Sequence, residues 1–151
     1  MRAGFVTQAE PNERLFVAFK VHMTPVGKAR PRFTRWGGVY TPSATHMAER
    51  KLAISCKMAL VGLVKPTGAP VRVAIRANFA IPASVSQKKR AEMLGMPVTK
   101  KPDADNVAKL VLDALNGIAY ADDKQVFSVS IEKKHAAEDS IAVDVFETLL
   151  P

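Results

Sequence analysis

The sequence predicts an α+β fold: a small mixed sheet with helices packed on one of its faces. Three observations carry that expectation. "VRVAIRANFAI" (Val71 to Ile81) alternates apolar and polar side chains with the period of two of a half-buried strand. Asp105 to Asn116 places Val107, Leu110, Val111, Ala114 and Leu115 on the i, i+3, i+4 stripe of a core-facing helix. Along the chain the order is strand, basic hairpin, helix, strand, short helix, helix, strand, strand, a mixture that suits helices gathered over one sheet face. At 151 residues the chain is read as one domain, residues 1–151, able to bury roughly two-thirds of its unfolded surface.

Each element has its own signal. "RLFVAFKVH" (Arg14 to His22) sets Leu15, Val17, Phe19 and Val21 on one side of a strand. "TPVGKARPRFTRWGGVYTP" (Thr24 to Pro42) is rich in turn formers and cations, and Gly37-Gly38 reads as a two-residue hairpin turn needing positive φ. Ser43 to about Val61 is helical, with Ser43 as cap and Met47, Ile54, Met58 and Val61 recurring at helical spacing. In the strand from Val71, the side chains of Val71, Val73, Ile75, Phe79 and Ile81 face inward, and those of Arg72, Arg76 and Asn78 outward. "SVSQKKRAEML" (Ser84 to Leu94) forms a short basic helix. The helix from Asp105 ends at Asn116, where Gly117 supplies a left-handed cap. Two strands finish the chain: Val126 to Lys134, with Phe127, Val129 and Ile131 on one face, and Ser140 to Glu147.

Composition narrows the function classes. Apolar residues at 48% and charged residues at 24% argue against a disordered or membrane protein. Runs such as "LVLDAL" stop far short of the ~20 residues of a membrane span. The first residues lack the apolar core of a signal peptide. Cys56 is the single cysteine, which rules out an intrachain disulfide and suits a reducing cytoplasm. A net charge of +8 points to a polyanionic partner, because each neutralised phosphate releases counterions.

Against that basic background, "KPDADNVAKLVLDALNGIAYADD" gathers Asp103, Asp105, Asp113, Asp122 and Asp123 around Lys109. One aspartate before a helix is an ordinary N-cap worth about 1 kcal/mol, and Asp105 with Lys109 could be a surface pair. A cap uses one acid, however, and two stand at the helix start while another pair follows its end. With Asp103 in an extended lead-in, both first acids share a side and converge at the helix N-terminus. Clustered carboxylates need a cation, and oxygen donors without Cys or clustered His select Mg²⁺ or Mn²⁺. His22, His46 and His135 are scattered without ligand spacing. A calcium loop counted from Asp103 fails, with Ala108 at its glycine position and Ala114 at its glutamate position.

"KPDADNVAKLVLDALNGIAYADDKQV", with "GKARPRF" and "YTP" upstream, resembles the signature of the RusA-like Holliday-junction resolvases. The likeness runs from about Val17 to Val145. It implies a RusA-like α+β fold and a homodimeric endonuclease that cuts branched DNA, the four-way junction, by paired symmetric nicks with Mg²⁺. It places the catalytic acids on Asp103, Asp105 and one of Asp122 and Asp123, with Asp123 favoured, and the essential lysine on Lys109. Asp103, Asp105, Asp122 and Asp123 are then the candidate metal ligands, and Mn²⁺ is expected to substitute. A four-way junction has approximate two-fold symmetry, which a C2 dimer matches.

Lys28, Arg30, Arg32 and Arg35, interleaved with Phe33, Trp36 and Tyr40, form the first candidate DNA surface. Lys88, Lys89, Arg90, Lys100 and Lys101 form a second. Two other readings compete: a branched-DNA-binding module without catalysis, and a metal-dependent nuclease for another DNA structure. A nucleotidyltransferase would want a glycine-rich nucleotide loop, and none is convincing.

Overall fold

The computed structural model describes residues 7–62 and 65–151. The signal-peptide expectation concerns the first residues, of which 1–6 lie outside that range. Among the described residues six strands and three helices follow in the order β1 (Glu13–Val21), β2 (Arg32–Phe33), β3 (Val39–Tyr40), α1 (Ser43–Ala59), β4 (Val71–Ala80), α2 (Gln87–Met93), α3 (Ala104–Leu115), β5 (Val126–Ala136) and β6 (Ser140–Thr148). A 3₁₀ turn, Asp123–Gln125, leads into β5. The main sheet has the order β1-β6-β4-β5, and β2 with β3 forms a separate ribbon. The sheet is mixed: β6 is antiparallel to both neighbours, while β4 and β5 are parallel.

A parallel pair needs a crossover, and here it carries α2 and α3. β6 then returns over the end of β4, where Asp139 Oδ1 accepts from the Ala80 amide at 2.8 Å. The inward alternation expected for β4 is present, and Val71, Val73, Ile75 and Phe79 join Ile141, Val143 and Val145 of β6 in one core. α1 and α3 close that core with Leu52, Cys56, Val107, Leu110 and Val111. The α+β architecture with helices over one sheet face is therefore the one expected. Among the described residues no helix is long and apolar enough to cross a membrane.

The opposite sheet face is polar. Arg72 stacks 4.3 Å from the centroid of Phe146 and holds Glu13 through its Nε and Nη2 atoms. Beside them Asp144 is buried, and burial raises its pKa despite the neighbouring Arg76 and Arg72. A native pKa above the unfolded value means that the unfolded chain loses the proton first as pH rises, so this group lowers stability across that window. Asp144→Asn is expected to melt higher than wild type at neutral pH. Thermal melts should show the advantage vanishing as pH falls below the ordinary carboxylate range.

Four local expectations need correction. Leu15 is 42% exposed rather than inward, because a bulge between Leu15 and Val17 breaks the alternation in β1. The hairpin turn is five residues long, not two: Phe33 pairs with Val39, and the Thr34 amide donates to Gly38 O at 2.6 Å. Gly37 keeps its positive φ of 84°. Pro42, not Ser43, occupies the N-cap of α1, and no side-chain cap bond forms. Finally, α1 turns Met47, Ile54, Met58 and the following Val61 toward solvent and buries Thr45, Ala48, Leu52 and Cys56 instead. The cause is mixed composition: Arg50, Lys51 and Lys57 share the outward arc, and burying it would bury unpaired charge. The other arc, Thr45, Ala48, Leu52 and Cys56, is uncharged and packs toward β1 and α3.

Candidate functional site

α3 is the platform of the site. Its apolar stripe is fully buried, which fixes the rotation of the helix and turns Asp105, Lys109 and Asp113 away from the core. Asp103 is the N-cap residue in extended conformation (φ −68°, ψ 148°), yet its carboxylate makes no capping hydrogen bond. The ordinary capping role is thus unused, and the side chain remains available.

The acids occupy two clefts rather than one. Asp105, Lys109, Asp113 and Asp123 line a cleft of about 270 Å³, floored by Ala108, Leu112 and Val129. Asp103 lines a neighbouring cleft of about 420 Å³ with Gly27, Lys28, Lys101, Pro102 and Asn106. Asp103 is the extended N-cap, and Asp105 lies in the first turn of α3, which begins at Ala104. Asp103 and Asp105 thus line adjoining clefts at the start of α3. Among the described residues, no group of three or more His, Cys, Asp and Glu is arranged to hold a metal ion.

Asp122 and Asp123 have different surroundings. Asp122 caps the 3₁₀ turn: its Oδ1 accepts from the Lys124 amide at 3.0 Å, and its own amide donates to Gln125 Oε1 at 2.8 Å. The Lys124 amide holds the Asp122 carboxyl below the usual range. Asp123 has no ion-pair partner among the described residues and faces Asp105 and Lys109 across the cleft. Gln125 anchors the turn by donating to Thr67 O and Ala69 O, each at 2.8 Å. Tyr120, fully buried, donates to Leu112 O at 2.6 Å and ties the loop after α3 back onto the helix. Burial, reinforced by Asp123 and Asp113, pushes its phenol pKa up and keeps it a neutral donor.

A chain of charges leads away from Lys109. Its ammonium lies 3.7 Å from Asp113 Oδ1, while Lys28 Nζ lies 3.2 Å from Asp113 Oδ2 and also donates to Glu49. Burial opposes the Lys28 charge, but the Glu49 and Asp113 carboxylates outweigh it and raise its pKa. Lys28, expected on the DNA surface, therefore has two carboxylate partners and joins α1 to α3. Asp113, whose place on the helix suggests a structural or solvated residue, is half-buried and bridges two lysines. Glu49 escapes sequence reasoning because its partners arrive from other elements, a relation no local spacing displays.

The linker bearing Lys28 lies against the start of α3, with the Lys28 amide donating to Asn106 O at 2.9 Å. A Cβ on Gly27 would stand 2.8 Å from Asn106 Cβ and 3.3 Å from Pro102 Cβ. Gly27→Ala is accordingly expected to destabilise the fold by about 1–3 kcal/mol through overpacking and to lower any activity that depends on Asp103. Thermal melts and turnover assays check both effects.

The expected DNA residues divide in two. Arg30, Arg32, Arg35, Lys88, Lys89, Lys100 and Lys101 are exposed, and Trp36 and Phe33 are 92% and 80% exposed rather than packed beneath the hairpin. Arg90 instead donates to Pro82 O at 2.9 Å and Ile81 O at 3.4 Å, closing α2 onto the end of β4.

The family model described as "Endodeoxyribonuclease RusA" matches residues 22–146, most of the chain. A relative in Bacillus subtilis (strain 168), "Uncharacterized protein YqaN", is 32% identical over 138 residues, spanning 87% of this chain and 96% of that protein.

Proposed function

The chain belongs to the RusA endodeoxyribonuclease family, and from that premise we propose that it resolves four-way DNA junctions by paired, symmetric nicks with a divalent metal. The observation that carries this reading is the cleft joining Asp105 and Asp123, from separate stretches of chain, to Lys109. Its donor set fits Mg²⁺, which is held by one or two carboxylates and completes its shell with water and substrate phosphate. Asp105 and Asp123 would hold the ion, with Asp103 supplying a further oxygen from the adjoining cleft and Mn²⁺ substituting. When bound, the ion activates water and stabilises charge on the scissile phosphate.

The chain's own residues supply the rest. Lys109 contacts a phosphate oxygen, an electrostatic contribution that is largest in a preorganised site. Asp113 orients that ammonium, and Lys28 holds Asp113. Asp122 shapes the turn that presents Asp123. The exposed cations and aromatics of the β2–β3 hairpin grip the DNA backbone and stack on opened bases. Two copies related by a two-fold axis supply the two cuts.

A panel of labelled junction, fork, duplex and single strand tests the reading, with Mg²⁺ and with chelator. Symmetric nicks in the junction, abolished by chelator, are expected. Binding without cutting under every metal condition would favour a non-catalytic module.

A further inference from the structure

The outward face of α1 has no role in the site just described. Met47, Ile54 and Met58 are 61%, 51% and 76% exposed. With 3.6 residues per turn, Arg50, Lys51 and Lys57 fall on the same arc of about 120°, and all three are exposed. Among the described residues, none of the three cations has a carboxylate within ion-pair distance. Glu49, the sole acid of α1, is bonded to Lys28 instead. The face is thus purely cationic, with an apolar ridge between its charges.

We infer that this face is a second DNA-docking surface, which lies along a duplex arm of the branched substrate. The inference rests on the nuclease reading and adds a partner surface to it. Charge complementarity is the first support. A helix of 17 residues is about 25 Å long, and that length of duplex carries about 15 phosphate charges. Continuity is the second. Only Thr41 and Pro42 separate α1 from the cationic hairpin. DNA gripped by the hairpin can continue onto α1, the next element of the chain. Arg50, Lys51 and Lys57 contact phosphates, while the methionines and Ile54 press on sugars or a base step, as apolar wedges do. A second copy fits the face poorly. A two-fold dimer through α1 would set the same three unpaired cations of each copy against one another.

The test compares wild type with Arg50→Gln/Lys51→Gln/Lys57→Gln on a labelled four-way junction over a salt series. Single Lys57→Glu serves as a second variant, and thermal melts confirm folding. The triple variant is expected to bind more weakly and to reduce the salt slope by about 2.7, or about 0.9 for each phosphate left without its cation. Lys57→Glu should weaken binding in the same direction. If wild type binds the junction and both variants match it in affinity and slope, the α1 surface is refuted while the nuclease reading stands. Failure of wild type to bind or cut any DNA refutes both. Loss of dimer in Met47→Ser/Ile54→Ser/Met58→Ser with unchanged DNA binding would assign the face to a second copy. Wild-type binding to phosphatidylserine vesicles that the triple variant loses, with junction affinity unchanged, would assign it to a membrane. Either result overturns the inference.

Discussion

Asp105→Asn is expected to lower metal-dependent junction cleavage by at least about 100-fold, the scale on which metal affinity and catalysis respond to a damaged site. Junction binding should be unchanged or tighter, because the substitution removes a negative charge from a surface that meets phosphate. Stability should move by less than about 1 kcal/mol, since Asp105 is exposed in the first turn of α3 and its interaction with the helix dipole is of that order. The separation matters. Loss of cutting with retained binding isolates a chemical role, whereas parallel loss of both would make Asp105 a folding or docking residue. Asp123→Asn should behave alike, and Asp122→Asn should act mainly through the turn it caps.

Leu110→Ala is the second large effect, and it acts from the other face of the same helix. Leu110 is fully buried against the sheet and α1, so truncation removes its transfer energy and leaves a cavity, together about 2–5 kcal/mol. In a domain of this size each kcal/mol shifts the melting temperature by roughly 2–4 °C. Denaturant unfolding should show a lower midpoint with little change of slope. The folded fraction of Leu110→Ala should still cut junctions, because the acids lie on the outward side of α3. Together the two variants show whether α3 divides cleanly into a packing face and a chemical face.

Much of this arrangement is readable in the amino-acid sequence, for identifiable reasons. β4 and α3 each bury a long periodic stripe, so period and burial agree and the elements fall where the pattern places them. Gly117 sits at a positive φ of 79°, as a left-handed helix cap requires. α1 resists the same method: its outward arc holds apolar and cationic residues together, and periodicity alone reports a stripe without telling which side is buried. Phe127 and Val129 are exposed on the edge strand β5, a property of sheet order rather than of the strand's own sequence. In the site, the motif marks the acids and Lys109, yet the clefts they line are completed by residues from other segments, Gly27 and Lys28 in one and Val129 in the other. Glu49 and Lys28 reach Asp113 from distant segments, so their bridge becomes visible only in three dimensions.

A Mn²⁺ anomalous map of the protein crystallised with a four-way junction bears most directly on the proposed chemistry. The expected result is a peak at about 2.0–2.2 Å, the coordination distance of a small hard cation, from oxygens of both Asp105 and Asp123, beside a DNA phosphate. A junction seated on the hairpin with Mn²⁺ bound elsewhere, and these two carboxylates facing only water, would contradict it.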